Sequence, residues 1–371
     1  MTTPSMSGPL VANPDPIHLD ITPSFGGPLY VTGAVSGLGM AQTSPLLGID
    51  HSYNFDLSNA QASLQTTSGM FQFFLEPGVY ALPTLGVNYR NTTNGFATDM
   101  PFSTRTFSGL PIAWGKVVFN DNFNIQGGKL PTLIGAESMF TFQNMNIERG
   151  LLWAQENVVN QGVQANLTTG PLAWSLSVND GFYTGQYNYI TGSATWTINP
   201  ANSFILAAGG PFDRVTATGT PVGPQYNNST MIEASYTYNN APLTITPYIQ
   251  YTRVGSDAKL GLVDSSTFGG AVLANYALTD KISLAGRWEY IGSSGAATVA
   301  PDGTLGGGLL GYGSGSSAMS FTLTPTYQVG IYFLRGEASM VQLYGSTAGL
   351  RFGSGNTDTQ GRFMVETGIV F

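Results

Sequence analysis

Apolar and polar residues alternate one for one in segment after segment of this chain. Over 362–371, Phe363, Val365, Thr367, Ile369 and Phe371 share one parity, and Arg362, Met364, Glu366, Gly368 and Val370 the other. Ile282, Leu284, Gly286, Trp288 and Tyr290 likewise oppose Ser283, Ala285, Arg287 and Glu289. Met319, Phe321, Leu323, Pro325 and Tyr327 oppose Ser320, Thr322, Thr324 and Thr326. Period two puts alternate side chains on opposite faces of a strand. Segments of this kind predict sixteen strands, near 28–41, 52–66, 70–81, 110–120, 123–131, 159–168, 171–181, 187–198, 202–211, 228–239, 243–254, 265–278, 281–292, 317–328, 331–343 and 360–371. Tight turns rich in Gly, Pro, Asn and Asp follow every second strand, at Ser68-Gly69, Asn120–Asn122, Thr168–Pro171, Asn199–Asn202, Asn239–Pro242, Thr279–Lys281 and Gln328–Gly330. Between them lie long connections, including 82–109, 132–158, 212–227, 293–316 and 344–359. Short and long connections in strict turn are the plan of an all-β, antiparallel up-and-down barrel. Residues 1–16, with four prolines, read as a flexible N-terminal leader, and 17–371 as a single transmembrane barrel.

Periodicity alone leaves open whether the apolar face packs into a soluble core or meets lipid. Composition decides it. Charged residues are 9% of the 371, against roughly 25% in a soluble domain. The chain instead carries 48 Gly, 21 Phe, 18 Tyr and 5 Trp. No run of about 18 apolar residues offers a transmembrane helix, and only a closed barrel otherwise satisfies its backbone in lipid. The last strand stops on Phe371, which resembles the C-terminal signal of bacterial outer-membrane proteins. The apolar faces are therefore expected to meet the bilayer and the polar faces a wet lumen. Residues 1–16 lack the basic start and apolar core of a signal peptide, so the chain reads as a mature form with an added Met1.

Candidate chemistry is sparse. There is no Cys, and the two histidines, His18 and His51, fall in the leader and the first loop, so a Ser/His/Asp constellation lacks its base and a zinc site its ligands. Gly306–Gly311 matches a dinucleotide-binding glycine pattern outside any strand–helix context. Thirteen basic against 21 acidic residues argue against nucleic acid. Neither an enzyme activity nor a cofactor is expected.

Residues 127–162 resemble the OmpL-like β-barrel porins. The resemblance is carried by Gly127-Gly128-Lys129-Leu130-Pro131-Thr132-Leu133-Ile134-Gly135-Ala136-Glu137, then Asn144-Met145-Asn146-Ile147-Glu148-Arg149-Gly150 and Gly162-Val163. A second echo lies at Gly78-Val79-Tyr80 and Pro83-Thr84-Leu85-Gly86. It implies an outer-membrane channel of undefined substrate, read here as one for small hydrophilic solutes and ions with lipid bilayer and lipopolysaccharide around it, and the strict alternation of short turns and long loops puts both termini on the periplasmic side. The topology is similar to that of general 16-stranded porins, which implies a homotrimer and an inward-folded third external loop, here 132–158. In that loop Phe140, Phe142, Leu152 and Trp153 are expected to pack on the wall, and Glu137, Glu148, Arg149 and Glu156 to line the constriction. Lumen-side parity falls on Lys116, Arg287, Arg335 and Arg362 and on Glu76, Glu233, Glu289, Glu337 and Glu366. Arg287/Glu289 and Arg335/Glu337 stand two apart on one face, so each pair is a candidate for self-neutralisation as well as for lining a pore. The excess of carboxylates predicts a weak cation preference carried mainly by Glu137 and Glu148. A structural or adhesive barrel with a closed lumen and functional external loops is the competing expectation.

Overall fold

A computed structural model describes residues 6–20, 27–46, 50–89, 109–217, 222–295, 298–299, 305–306 and 308–371. The expected connections 82–109, 212–227 and 293–316, the glycine pattern 306–311 and the leader 1–16 each lie partly outside them. In chain order the strands are β1 (Ile17–Leu19), β2 (Leu29–Gln42), β3 (Tyr53–Gln65), β4 (Phe71–Glu76), β5 (Gly78–Tyr80), β6 (Ile112–Asn120), β7 (Phe123–Pro131), β8 (Val159–Thr169), β9 (Leu172–Asn179) and β10 (Tyr189–Asn199). They continue as β11 (Asn202–Pro211), β12 (Thr230–Asn240), β13 (Leu243–Val254), β14 (Ser265–Ala277), β15 (Ile282–Gly295), β16 (Thr298–Val299), β17 (Leu305–Gly306), β18 (Ser317–Val329), β19 (Tyr332–Tyr344) and β20 (Thr359–Val370). Among the described residues no helix is long and apolar enough to cross a membrane.

Each long strand pairs antiparallel with its predecessor, and β20 pairs back onto β2 from Ala34↔Val370 to Gln42↔Arg362. The result is a closed antiparallel barrel of sixteen strands, β4 and β5 together making the third. The expected third strand, 70–81, is interrupted at Pro77, which has no N–H to give the ladder. Closure leaves no free edge, the condition for β-structure in lipid. At the seam Gly33 and Phe371 exchange backbone hydrogen bonds of 2.8 and 2.9 Å. The Phe371 ring lies over Gly33, where a β-carbon would come within 2.6 Å of it. Below the point where β20 stops, β1 takes over as partner of β2, pairing Ile17↔Val31 and Leu19↔Leu29.

The outward face is apolar, with aromatic side chains near both rims: Phe119, Trp196, Tyr276 and Tyr327 by the short turns, and Phe55, Phe268, Tyr344 and Phe363 by the long loops. Such girdles seat a barrel at its two lipid–water boundaries. Among the described residues, parity puts charge on this face only at Lys129 and Arg253, both at the loop end of their strands. Polar and charged side chains point inward.

Residues 6–12 of the expected leader run under this lumen from the short-turn end. Ser7 and Gly8 N–H groups donate to the Gln143 carbonyl at 2.9 and 3.1 Å. Leu10, 2% exposed, packs in a cluster with Phe142, Phe333 and Val370. Val11 exchanges two hydrogen bonds with the Gln328 amide, at 2.8 and 2.9 Å.

Candidate functional site: a loop clamped across the lumen

A barrel of sixteen strands is wide enough to leave an aqueous channel. Here the loop between β7 and β8 enters it. Thr132 N–H donates to the Val158 carbonyl, and the Thr132 hydroxyl bonds Asn157 Oδ1 at 2.9 Å, which ties the two limbs at the neck. Two single 3-10 turns, Thr141–Gln143 and Trp153–Gln155, keep the chain between them compact. Every residue from Met139 to Trp153 is buried. Phe140, Phe142, Leu152 and Trp153 pack inside; Phe140 meets Tyr80 edge-on at 5.2 Å. The Asn144 amide bonds both the Ser138 and the Phe140 carbonyls at 2.8 Å, fixing the apex of the loop.

The wall charges grip this loop. Arg287 pairs with Glu137 at 2.5 Å and donates to the Glu148 carbonyl at 2.7 Å. Arg335 donates to the carbonyls of Thr141, Asn144 and Met145 at 2.9, 3.0 and 2.8 Å. Arg362 pairs with Glu148 at 2.7 Å and holds the Thr84 and Val87 carbonyls of the neighbouring loop. The carboxylates take the complementary groups. Glu337 accepts the N–H of Ile147 and Glu148 at 2.5 and 2.9 Å. Glu289 accepts those of Leu151 and Leu152 at 3.0 and 3.3 Å. Glu366 accepts the Thr141 hydroxyl at 2.6 Å.

Arg287 and Glu289 do contact each other, at 3.3 Å. Arg335 and Glu337 do not form the expected pair. Arg335 meets Glu366 at 3.4 Å instead. The physical reason is register: Glu366 lies directly across the ladder from Arg335, and such cross-strand neighbours are about 4.5–5.5 Å apart at Cβ, closer than positions two along one strand. All these groups are at most 5% exposed. Their desolvation offsets much of the attraction, so the clamp positions the loop more than it stabilises the barrel.

Other charges stay outside the clamp. Lys116 is half-buried on β6, its ammonium 5.5 Å from the Trp114 ring centre. Together with Phe74, Glu76, Ile112 and Glu137 it lines a cavity of about 520 Å³ beside the loop. Arg149, fully buried, donates to the Ala81 carbonyl at 3.3 Å and lies over the Trp153 ring; burial pulls its guanidinium down to about 10. Glu233 accepts the Gly135 N–H at 2.8 Å. Glu156, on the returning limb of the loop, has no hydrogen-bond partner on either oxygen. Burial, reinforced by Glu233, Glu137 and Glu289, holds its carboxyl well above the usual carboxylate range. Among the described residues no three or more His, Cys, Asp or Glu side chains gather into a metal cluster.

Several participants carry no mark in the sequence beyond lumen-side parity or a place in the loop: Thr141 and Asn144 at the apex, Asn59, whose amide donates to the Thr141 hydroxyl at 2.6 Å, and Gln250 on β13, whose amide donates to the Leu152 carbonyl at 3.3 Å. They are neutral, and polar residues fill every lumen face.

No protein of curated function matches the chain in sequence. Among solved structures it is similar to the anion-selective porin of Comamonas acidovorans, with 12% identity and a TM-score of 0.62 over 92% of this chain and 99% of that one. It is similar to the outer-membrane channel DcaP of Acinetobacter baumannii, with 11% identity and a TM-score of 0.60 over 95% and 99%. It also resembles the trimer form of the outer-membrane protein OmpT of Vibrio cholerae, with 12% identity and a TM-score of 0.58 over 92% and 99%. At these identities the likeness is one of fold. The family described as "Putative beta-barrel porin-2, OmpL-like" matches residues 28–371, all of the closed barrel, and the chain belongs to that outer-membrane porin family.

Proposed function

We propose that this porin passes small hydrophilic solutes and ions by diffusion, with a weak preference for cations. The observation that carries the reading is the loop 132–158, held across a polar lumen by buried wall charges and flanked by open volume: the cavity at Lys116, and one of about 360 Å³ lined by Leu85, Leu151, Gln155, Tyr226, Tyr312 and Arg351. The carboxylates credited from sequence, Glu137 and Glu148, are each engaged by an arginine. The preference is therefore assigned to Glu156 and Glu233, which have no basic partner among the described residues.

Reversal potentials across a salt gradient in planar bilayers test this. A cation preference is expected at neutral pH, clearest in dilute salt, where charges act over a Debye length of about 30 Å at 0.01 M. Because the Glu156 carboxyl is raised, its charge is lost as pH falls while ordinary carboxylates, with pKa about 4.3, are still ionised. The preference should fade from that higher pH downward and be absent in Glu156→Gln with Glu233→Gln. An unchanged reversal potential in the double variant removes these residues from the filter.

Val11 bonds Gln328 beside a short turn, and β20 ends at the same turn, where Val370 N–H donates to the Ile331 carbonyl at 2.9 Å; this supports placing both termini in the periplasm, with the long loops facing lipopolysaccharide. Assembly as a homotrimer is supported by the trimer form of the similar OmpT. The detergent-corrected mass of the purified complex is expected to be three times 39.2 kDa, and a single-barrel mass would count against it. The competing reading, a structural or adhesive barrel, draws on one observation: the loop and residues 6–12 both occupy the lumen. A barrel that never conducts would favour it.

A further inference from the structure

Three arginines, Arg287, Arg335 and Arg362, stand among the five clamp carboxylates Glu137, Glu148, Glu289, Glu337 and Glu366. On the opposite side of the loop the balance fails. Glu156 comes back toward the wall of β12 and β13, and what it meets there is a second carboxylate. Gly135 locates the encounter. Its N–H donates to Glu233 Oε2 at 2.8 Å, while a β-carbon on it would collide with Glu156 Oε2, so both carboxylates rest against one residue. Its φ of +98° also marks the position as one glycine suits.

Neutral oxygens complete the setting. Gln250 is the direct cross-strand partner of Glu233, and Tyr248 lies two residues along the same lumen face. The Gln250 amide nitrogen donates to the Leu152 carbonyl at 3.3 Å, which ties it to the same stretch of loop. Its carbonyl oxygen is left without a partner, as are the Tyr248 hydroxyl, Glu233 Oε1 and both oxygens of Glu156. The four residues are 1–5% exposed. Two ionised carboxylates cannot stay buried together without compensation. A shared proton would relieve the charge but would leave the amide carbonyl and the phenol unemployed.

We propose that Glu156, Glu233, Gln250 and Tyr248 form a cation site that fastens the returning limb of the loop to the β12–β13 wall. The donor set is oxygen only, which selects a hard cation, and two negative charges match a divalent one. Long glutamate arms and an irregular mixture of carboxylate, amide and phenol oxygens suit the loose six- to eight-fold shell of calcium better than the octahedron of magnesium. Calcium here does for β12–β13 what the arginines do for β15, β19 and β20. A filled site also cancels the two charges assigned above to cation preference, so adding calcium should weaken that preference.

The test is binding, which needs no conduction; failure of this proposal and failure of the channel reading are therefore separate results. The whole barrel in detergent, stripped with chelator, is titrated with calcium by calorimetry and with terbium by luminescence sensitised through Tyr248. One saturable site per barrel is expected, with calcium displacing terbium. Glu156→Gln and Glu233→Gln should each weaken it at least about tenfold. Gln250→Leu, which removes only a neutral oxygen, should weaken it less. Asp264→Asn, which alters an exposed external carboxylate paired with Arg253, should leave it unchanged. A heat-modifiable gel shift verifies that each variant is a closed barrel. Absence of a saturable site in the wild type, or undiminished binding in the Glu156→Gln/Glu233→Gln double variant, overturns the proposal.

Discussion

Replacing Arg335 with alanine is expected to free the apex of the loop and raise single-channel conductance several-fold while the barrel itself stays closed. The guanidinium is fully buried and serves three loop carbonyls, Thr141, Asn144 and Met145, besides Glu366. Its loss leaves those carbonyls without their charged donor and Glu366 without its cation. Breaking a buried pair from one side costs about 3–5 kcal/mol. The strands do not depend on this residue for their ladders, so the cost falls on the loop, which can escape it by leaving the wall. Arg335→Lys keeps the charge but offers one point donor in place of a fork, and should lie between alanine and the wild type. Conductance in planar bilayers and the rate of proteolytic cutting within 132–158 are the measurements. Wild-type values of both in Arg335→Ala would show that the apex is held without the arginine.

Deleting residues 1–13 is expected to open the lumen from the short-turn end, again as a several-fold rise in conductance with strand content unchanged. The segment is held by the burial of Leu10, worth about 1.5–3 kcal/mol, and by five hydrogen bonds to Gln143 and Gln328. An anchorage of this size permits local opening without unfolding of the barrel. In the intact channel the segment should therefore come and go, giving current noise that the deletion abolishes. Leu10→Asp, which would place a carboxylate beside Phe142, Phe333 and Val370, should mimic the deletion without shortening the chain. If both variants conduct as the wild type does, the segment does not set the resistance of the pore.

The sixteen strands were legible because two independent signals coincide in them: period-two alternation, and turn residues after every second segment. Closure followed from low charge, since an open sheet of that composition has no solvent that suits it. Parity also put Arg287, Arg335, Arg362, Glu289, Glu337 and Glu366 on the lumen side. Their partners were not legible. Arg335 finds Glu366 through the register of the β19–β20 ladder, and Glu337 serves N–H groups about 190 residues away. Backbone N–H groups are the same in every sequence and leave no trace in it. The seat of Leu10 was equally silent, because a single leucine among prolines has no periodicity to read. Pro77 was visible, but as a residue inside an apolar run rather than as the break that divides β4 from β5.

The wall holds the loop chiefly by its peptide groups. Arg335 takes only carbonyls from it, while Glu337 and Glu289 take only amides from its backbone. A socket of this kind recognises the path of the chain and is indifferent to most of the side chains threaded along it. Ala154, which borders the cavity lined by Tyr312 and Arg351, and Ala136 and Ser138, which border the one at Lys116, are then open to replacement without loss of seating. Drift or engineering can rewrite what the passage admits by changing these residues alone, while the six wall charges keep each new version in the same place.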